Sequence, residues 1–445
     1  MSNNSITNKK ISIYSLIIVF ASQVPVVSYL LDSYFQTSKC ESCGEFNLFL
    51  TLFIYVILSL ISTSFIKKST HRKLLSVYLI LITLLLFGFV TSKNVLYPFI
   101  SLSKFILYLN ILLYLSRSSI EKNSNLLLNV FKVSIISYAV LNFFNLWRGG
   151  SPLFALGLIQ LPLWLFCAYM IFTFQKKKIS SSSLIYIYLF IYILFLNYIL
   201  AKESDFFRIQ YLPVGMTAML LIAFLSISTF RTKTKIFLIT IIVLSTIVIN
   251  FHYLDQTFKL GDRLVSFKER LSIFTLMFRA SFDFLIPQGL GSSLRNYDIS
   301  VFDIGYTEAG RRLYPPHSGL ASVLYENSIY VFTYIAFKIL SIVKSEIKQK
   351  LVGAKMPSLV EHNGKILKSN ILYKKRDKYF LIMLLVIFTW FIHNLLYLKG
   401  IVTPDYFTDD GVIIYSLIFI LSYESYLTKT IIDKIHYRRN PGNNI

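Results

Sequence analysis

The sequence predicts an all-α, polytopic integral membrane protein with about a dozen transmembrane helices and one long outer (periplasmic) loop. Of its 445 residues, 55% are hydrophobic and only 15% are charged, and the mean hydropathy is +0.60. This composition is too apolar for a water-soluble chain of this length. Apolar stretches long enough to span a bilayer recur between short polar breaks. Their length and unbroken apolarity favour helices over barrel strands.

The predicted spans are, in chain order, residues 11–31, 47–66, 74–92, 97–116, 126–146, 153–174, 183–201, 210–229, 236–252, 318–343, 379–398 and 411–428. The first span lacks a clear small-residue cleavage site, so we expect it to remain as a span. No internal repeat or low-complexity linker divides the chain, which favours one membrane domain over residues 1–445. Two segments interrupt the rhythm of helix and short loop: the outer loop 253–317 and the basic cytoplasmic loop 344–378.

The formal net charge of +23 predicts the orientation of the spans because it is unevenly distributed. Basic residues concentrate in every second loop, whereas the other short loops carry only Lys39, Lys93, Arg148, Lys202, Arg208 and Lys399. This is the positive-inside pattern, so both termini are expected in the cytoplasm. Nucleic-acid binding is a weak interpretation of the charge, and we expect the stretch 344–378 to contact anionic lipid headgroups instead.

The long outer loop is predicted to contain an amphipathic helix. Apolar residues draw one stripe at helical spacing, formed by Phe267, Leu271, Phe274, Phe278, Phe282 and Leu285. Such a helix either lies on the outer membrane surface or packs over the tops of the spans. Arg270 and Arg279 fall off the stripe. Pro287 ends the helix, and Gly289 and Gly291 then allow a tight turn with a close backbone approach.

His317 is a candidate general base at the end of this loop. Two prolines directly before it suit a helix entry, which places His317 in the first turn of the tenth span. The N–H groups and dipole of a helix N-terminus favour the neutral imidazole, which can accept a proton. A lone histidine is more often simply a polar residue at the membrane surface. Its interest comes from outward arginines suited to holding phosphate oxygens, namely Arg148, Arg208, Arg270, Arg279, Arg311 and Arg312.

Glu326 lies nine residues beyond His317, about 13 Å farther into the bilayer along a helix. An ionisable group at that depth needs a partner or a water-filled cavity. Lys104 also falls within a span and is a candidate partner. In the first outer loop, Cys40 and Cys43 form either a disulfide or a chance pair, and we expect no zinc site without a second pair.

Three local patterns in the sequence resemble those of the O-antigen ligase and polymerase family of multi-spanning bacterial glycosyltransferases. The outer loop of that family reads Arg, amphipathic helix, Pro and Gly-x-Gly, which Arg270, Pro287, Gly289 and Gly291 match. Its next pattern begins with His and ends with Gly. The matching positions here are His317, Ser318, Glu326 and, in place of that glycine, Ser328. Upstream, Arg148-Gly149-Gly150 resembles the family's Arg-x-Gly element, and Ser204 with Arg208 loosely echoes an outer Ser-Arg pair.

The resemblance implies glycan transfer from undecaprenyl diphosphate on the outer face of the bacterial inner membrane. The lipid diphosphate would lie against the outward arginines, and His317 would deprotonate an acceptor hydroxyl. Gly289, Gly291 and Glu326 would support the site. The resemblance implies no metal or other cofactor, and the sequence contains no Asp-x-Asp motif. The implied partners are membrane lipid, the undecaprenyl-diphosphate-linked oligosaccharide and a chain-length regulator.

Four functions compete at this stage. We favour a polymerase of surface polysaccharide over a ligase that transfers the glycan to lipid A-core in lipopolysaccharide biosynthesis. A flippase or secondary transporter would more often show internal duplication, discontinuous helices and ionic sites at the bilayer midplane. A transferase acting on lipid-linked phosphosugars would use acidic residues of the first outer loop, where Asp32, Glu41 and Glu45 are available.

Overall fold

The computed structural model describes residues 13–24, 43–92, 94–147, 236–237, 240, 275–282, 287–293, 297–298, 313–314, 319–353, 413, 416–428 and 430. Its helices are α1 (Ile13–Val24), α2 (Cys43–Thr63), α3 (Lys68–Thr91), α4 (Leu96–Arg117), α5 (Ile120–Trp147), α6 (275–282), α7 (Gly319–Asn327), α8 (Ile329–Gly353) and α9 (416–428). Two short strands, β1 (Tyr297–Asp298) and β2 (Leu313–Tyr314), pair with each other. Apart from that pair, the regular structure of the described residues is helical, as predicted.

Helices occupy the parts of the predicted spans that the structure describes. The first five spans overlap α1 to α5, although α3 begins at Lys68 and α5 at Ile120, both earlier than predicted. Four predicted spans lie outside the described residues: 153–174, 183–201, 210–229 and 379–398. By length and composition, α3 and α4 are long and apolar enough to cross a membrane. The total of about twelve spans stays a prediction.

Helix α3 carries apolar residues on two different faces. One face is buried by neighbouring helices and consists of Thr70, Leu74, Val77, Leu81, Leu84 and Gly88. The other face is exposed and apolar, with Leu75, Leu79, Ile82, Leu86 and Val90. Such a stripe is unfavourable in water but suits lipid tails. The helix therefore has the surface expected of a span at the edge of a bundle.

Helix α4 packs against α2, α3 and α8, and polar side chains join it to its neighbours. The Asn110 amide donates hydrogen bonds to the hydroxyls of Ser62 and Thr63 on α2, at 2.8 and 3.0 Å. The Tyr14 hydroxyl of α1 donates to the Asn110 carbonyl at 3.2 Å, and its ring stacks on Tyr114. Because an unpaired polar group is costly in an apolar interior, these bonds favour one packing of α1, α2 and α4.

Lys104 of α4 does not have the partner that was expected from the sequence. Its side chain is fully buried, and the ammonium lies over the Tyr55 ring of α2, 5.2 Å from the ring centre. Within the described chain no ion pair joins Lys104 to Glu326, whose carboxyl bonds to Ser293 instead. A cation over an aromatic face is a favourable arrangement in a desolvated site.

The predicted tenth span, 318–343, is wrong as a single helix. α7 ends at Asn327, Ser328 has a left-handed backbone with a φ of 55°, and α8 begins at the next residue. A left-handed residue cannot continue a right-handed helix, so the chain turns here. α8 then continues to Gly353, so the predicted loop 344–378 begins as helix.

Two ion pairs join the helices at the end of the bundle that is predicted to be cytoplasmic. The Arg117 guanidinium at the end of α4 donates to the Glu346 carboxylate of α8 at 2.8 Å. Lys350 of α8 lies 2.5 Å from the Glu424 carboxylate of α9 and donates to the Ser118 carbonyl at 2.6 Å. These contacts join the part of α8 beyond the predicted span to α4 and α9. They also pair Lys350 with protein groups rather than with the lipid headgroups expected for this stretch.

The environments of the two ion pairs shift the pKa values of their members. The hydrogen bond from Arg117 lowers the pKa of Glu346 against the opposing effect of burial, and the Thr70 hydroxyl adds a bond of 3.0 Å. Burial lowers the pKa of Lys350 although the Glu424 carboxylate favours its charged form. Glu346 is therefore held as a carboxylate, which makes its contact with α4 sensitive to acid.

Candidate functional site in the outer loop

The segment 287–293 forms a tight turn against the ends of α3 and α4. Gly289 and Gly291 have φ values of 90° and 75°, which glycine adopts without steric cost. A Cβ on Gly291 would lie 2.9 Å from the backbone at the start of α4, and one on Gly289 would overlap the backbone of Gly88 on α3. The tight turn and close backbone approach predicted for these glycines are both present.

The turn is bonded to the backbone of α3. The Leu290 N–H donates to the Leu84 carbonyl at 3.0 Å, an approach that Gly88 permits because it has no side chain. The Thr91 hydroxyl donates to the Gln288 carbonyl at 2.5 Å. Leu290 is fully buried in the hydrophobic core. Because Leu290 lies against Gly88, three residues before the end of α3, the loop reaches about 5 Å below that end.

Glu326, near the end of α7, holds the turn from the other side. Its Oε1 accepts a hydrogen bond from the Ser293 hydroxyl at 2.5 Å, and its backbone carbonyl accepts one from the Gly289 N–H at 2.9 Å. The Glu326 side chain is fully buried, and its Oε2 has no hydrogen-bond partner among the described residues. One residue of α7 is thus bonded to both halves of the turn.

Ser328 lies where the resembled family has glycine, and its backbone has the conformation that favours glycine. The serine also caps the start of α8. Its hydroxyl accepts a bond from the Val331 N–H at 3.5 Å, and its carbonyl accepts one from the Phe332 N–H at 3.0 Å. A side-chain oxygen at a helix start satisfies a backbone N–H that the helix leaves unpaired. Serine therefore keeps the geometry of the position and adds a cap.

Helix α6 contains part of the predicted apolar stripe, but the stripe is not its buried face. Met277 and Ser281 are buried, whereas Phe282 is 45% exposed and Arg279 is exposed. Burial of Ser281 is tolerated because its hydroxyl donates to the Phe278 carbonyl at 2.6 Å. The helix therefore packs one face against protein and leaves aromatic surface outside. The buried face is expected of a helix packed over the spans, and the exposed aromatic side chain is expected of a helix on the membrane surface.

A short β pair lies beyond the glycine turn in the same loop. Tyr297 pairs with Tyr314 and Asp298 with Leu313, in antiparallel register. The sequence predicted only a polar stretch here, because two residues per strand are too few to show an alternating pattern. The pair brings the residues directly after Arg312 beside the chain that leaves the turn.

The structure brings together Gly289, Gly291 and Glu326, and it places Arg279 on the exposed side of α6. The other candidate residues lie outside the described residues: Arg148, Arg208, Arg270, Arg311, Arg312 and His317. Convergence of the arginines on one anion therefore stays a prediction. The described part of the chain contains no group of three His, Cys, Asp or Glu residues placed to hold a metal ion.

Sequence reasoning missed two residues of this arrangement, Gly88 and Ser293. Gly88 did leave a signal, since an isolated glycine inside a helix costs about 1 kcal/mol relative to alanine and often has a packing reason. Ser293 left none, because a serine after a glycine turn is common and its partner lies 33 positions away.

The described residues define a helical protein in which two helices are long and apolar enough to cross a membrane, and in which the 287–293 turn is hydrogen-bonded between α3 and α7. Comparisons with protein-family models, curated proteins and solved structures find no match for this chain. The functional proposal therefore depends on the site geometry and on the motifs in the sequence.

Proposed function

We propose that this chain is an O-antigen or surface-polysaccharide polymerase, a metal-independent glycosyltransferase that uses a glycan donor linked to undecaprenyl diphosphate. The observation that carries the proposal is the contact between two separate motif segments. The Gly-x-Gly turn at 289–291 is bonded to Glu326, the acidic residue of the His317 segment. A chance likeness to the family gives no reason for these two segments to meet, whereas a common site does.

The proposed reaction begins with His317 as a neutral imidazole that takes the proton of an acceptor sugar hydroxyl. The hydroxyl oxygen attacks the anomeric carbon of the donor glycan. The bond from that carbon to the diphosphate oxygen breaks, and undecaprenyl diphosphate leaves with the electron pair. The proton stays on His317 until it is released to solvent. Diphosphate is a good leaving group, so the transfer requires neither metal nor nucleotide.

The arginines of the outer loops are proposed to bind the diphosphate. Arg148, Arg208 and Arg270 would offset the negative charge that develops as the glycosidic bond breaks, since guanidinium groups bind phosphate oxygens in bidentate fashion. Further candidates for the same role are Arg279, Arg311 and Arg312.

The proposed setting is the bacterial inner membrane, with about a dozen spans and both termini in the cytoplasm. The asymmetry of Lys and Arg along the chain supports this orientation. A chain-length regulator is the proposed protein partner, because a polymerase needs a device that stops extension.

A ligase would use the same donor and the same base, and would differ only in its acceptor, lipid A-core. A transporter is favoured by one observation, the interruption of the tenth span at Ser328. In transporters such breaks line a substrate cavity. Here the Glu326 carbonyl near the break accepts a hydrogen bond from Gly289, so the outer loop occupies that position. The break therefore fits loop anchoring better than transport.

Surface-glycan banding of cells that carry single variants tests the proposal. His317→Ala and Arg270→Ala should each reduce long-chain glycan by about 10²-fold or more, because each removes a proposed catalytic group. His71→Ala is a matched control, since His71 lies near the start of α3 and bonds to Tyr78. Asp32→Ala tests the alternative of a transferase that acts on lipid-linked phosphosugars, because it removes an acidic residue of the first outer loop.

The banding pattern also separates the alternatives. Full-length ladders from His317→Ala cells would exclude the proposed base. Gene deletion should leave a single repeat on lipid A-core if the protein is a polymerase. Loss of all surface glycan with accumulation of lipid-linked polymer would identify a ligase, and a block before polymerisation would identify a flippase.

A further inference from the structure

The 287–293 turn is unusual because it is a loop segment buried among helices. Residues 289–293 are all buried, although loops normally lie on protein surfaces where water satisfies their backbone groups. A buried loop of this kind at membrane depth requires protein groups to bond its backbone. The residues that supply those bonds therefore decide whether the turn stays in place.

The partners of the turn come from two helices. α3 contributes the Leu84 carbonyl and the Thr91 hydroxyl, and α7 contributes Glu326 through both its carboxyl and its carbonyl. Burial of a carboxyl group costs free energy unless hydrogen bonds or a paired charge offset its lost hydration. An apolar residue at this position would avoid that cost and would keep the backbone bond to Gly289, so the role of the Glu326 carboxyl lies in its bonds with the Ser293 hydroxyl and N–H.

We infer that Glu326 is a positioning residue that anchors the 287–293 turn between α3 and α7 and so fixes the outer loop to the helix bundle. Its effect on catalysis rests on the proposed function, because the chain that leaves the turn leads to Arg311, Arg312 and His317. The anchoring itself is independent of that function and is measurable alone.

Cysteine accessibility measures the anchoring. In a chain whose native Cys40, Cys43 and Cys167 are replaced by serine, Ser292→Cys provides a reporter at a position that is 3% exposed. A membrane-impermeant maleimide should label this reporter slowly. Adding Glu326→Ala should raise the labelling rate by about tenfold or more, because it leaves the Ser293 hydroxyl without its buried partner.

Conservative and neighbouring variants separate positioning from a general loss of structure. Glu326→Gln retains an oxygen that accepts the Ser293 bond, so its labelling should stay within about threefold of the parent. Asn327→Ala is the matched control, because among the described residues the buried Asn327 amide bonds within its own helix, to the Val323 carbonyl at 2.8 Å. Should Glu326→Ala fail to reach the membrane, Ser293→Ala removes the same hydrogen bond and should give the same acceleration.

Slow labelling in both Glu326→Ala and Ser293→Ala would overturn the inference. With purified protein and a titrated undecaprenyl-diphosphate-linked donor, Glu326→Ala should lower kcat more than it raises KM, and Glu326→Gln should restore kcat. The proposed catalytic role of His317 and the anchoring role of Glu326 can be contradicted independently. Full ladders from His317→Ala would exclude the proposed base but leave the labelling result standing, whereas unchanged labelling would exclude the anchor whatever His317→Ala does.

Discussion

Left-handed backbone conformations mark the corners of the anchored turn and the end of the helix that holds it. Among the described residues, positive φ values occur at Gly289, Gly291 and Ser328. The conformation costs a residue with a Cβ about 1–2 kcal/mol. Ser328 recovers part of that cost by capping α8 through its bond with Val331. The sign of the change in the free energy of unfolding can therefore be predicted for substitutions at Ser328.

Ser328→Gly should raise the free energy of unfolding by about 0.5–1 kcal/mol. The substitution relieves the left-handed strain, worth about 1 kcal/mol, and replaces the serine cap by glycine, which costs only a few tenths of a kcal/mol. Denaturant unfolding of the purified protein in detergent measures the change.

Ser328→Ala is the control for this prediction. Alanine keeps the strained φ and loses the cap, so the free energy of unfolding should fall by about 1 kcal/mol. An alanine variant that is more stable than the glycine variant would contradict the assigned backbone conformation.

Glu326 shows how much of a residue's environment can be predicted from the sequence. Its position in an apolar stretch called for a partner or a water-filled cavity, and Ser293 is the partner of one of its two carboxyl oxygens. The identity of the partner was beyond the sequence, because a hydroxyl such as that of Ser293 carries no local pattern. Lys104 was the more obvious choice by charge, but it lies over an aromatic ring of α2.

Whole helices were easier to predict than their interruptions. α4 was placed to within a residue at each end, because length and hydropathy are local properties of a span. The break at Ser328 was missed although Glu326 and Asn327 precede it, because apolar residues resume at Ile329 and serine is a weaker signal for a break than glycine or proline. The extension of α8 to Gly353 depends on partners from α4 and α9, which no local pattern contains.

The contact between α4 and α8 should be sensitive to acid. The pKa of Glu346 is lower in the folded chain than its ordinary value of 4.5, so the contact stabilises the fold above that value. The stabilisation is lost as the pH falls through the folded-state pKa. As the pH falls below about 4.5, the free energy of unfolding of the parent should fall more steeply than that of Glu346→Gln. At pH 7 the variant should be less stable by about 1–2 kcal/mol.

Unfolding curves at several pH values in detergent provide this measurement. Glu121→Gln is the matched control, because Glu121 is exposed at the start of α5. That control should change the free energy of unfolding by less than about 0.5 kcal/mol. Equal pH slopes for the parent and Glu346→Gln would show that the ion pair contributes nothing to stability.

The charge asymmetry of the entire chain predicts how it is oriented in the membrane. Alkaline phosphatase, which is active only outside the cytoplasm, should be active when fused after residue 282 and inactive when fused after residues 353 or 445. The basis is the concentration of Lys and Arg on the side predicted to be cytoplasmic. An active fusion after residue 445 would place the C-terminus outside and contradict the orientation.

The proposed function depends, at the level of the sequence, on the order of short motifs at 148–150 and 270–328. Gly289, Gly291 and Glu326 meet in space, while His317 and five of the six candidate arginines lie outside the described residues. Motif order could suggest a reaction class, because each residue type has a defined chemistry with diphosphates and hydroxyls. It could not choose between polymerase and ligase, since these differ in the acceptor and share the donor.

Reconstitution of the purified protein in liposomes with an undecaprenyl-diphosphate-linked repeat unit, in EDTA and without nucleotide, tests the proposed catalysis itself. The two quantities measured are the length distribution of the glycan and the amount of undecaprenyl diphosphate released. The parent and His71→Ala should produce a ladder and release the lipid diphosphate, and His317→Ala should do neither. Equal ladders from the parent and His317→Ala would contradict the role of His317, and transbilayer movement of an unextended donor would contradict the polymerase.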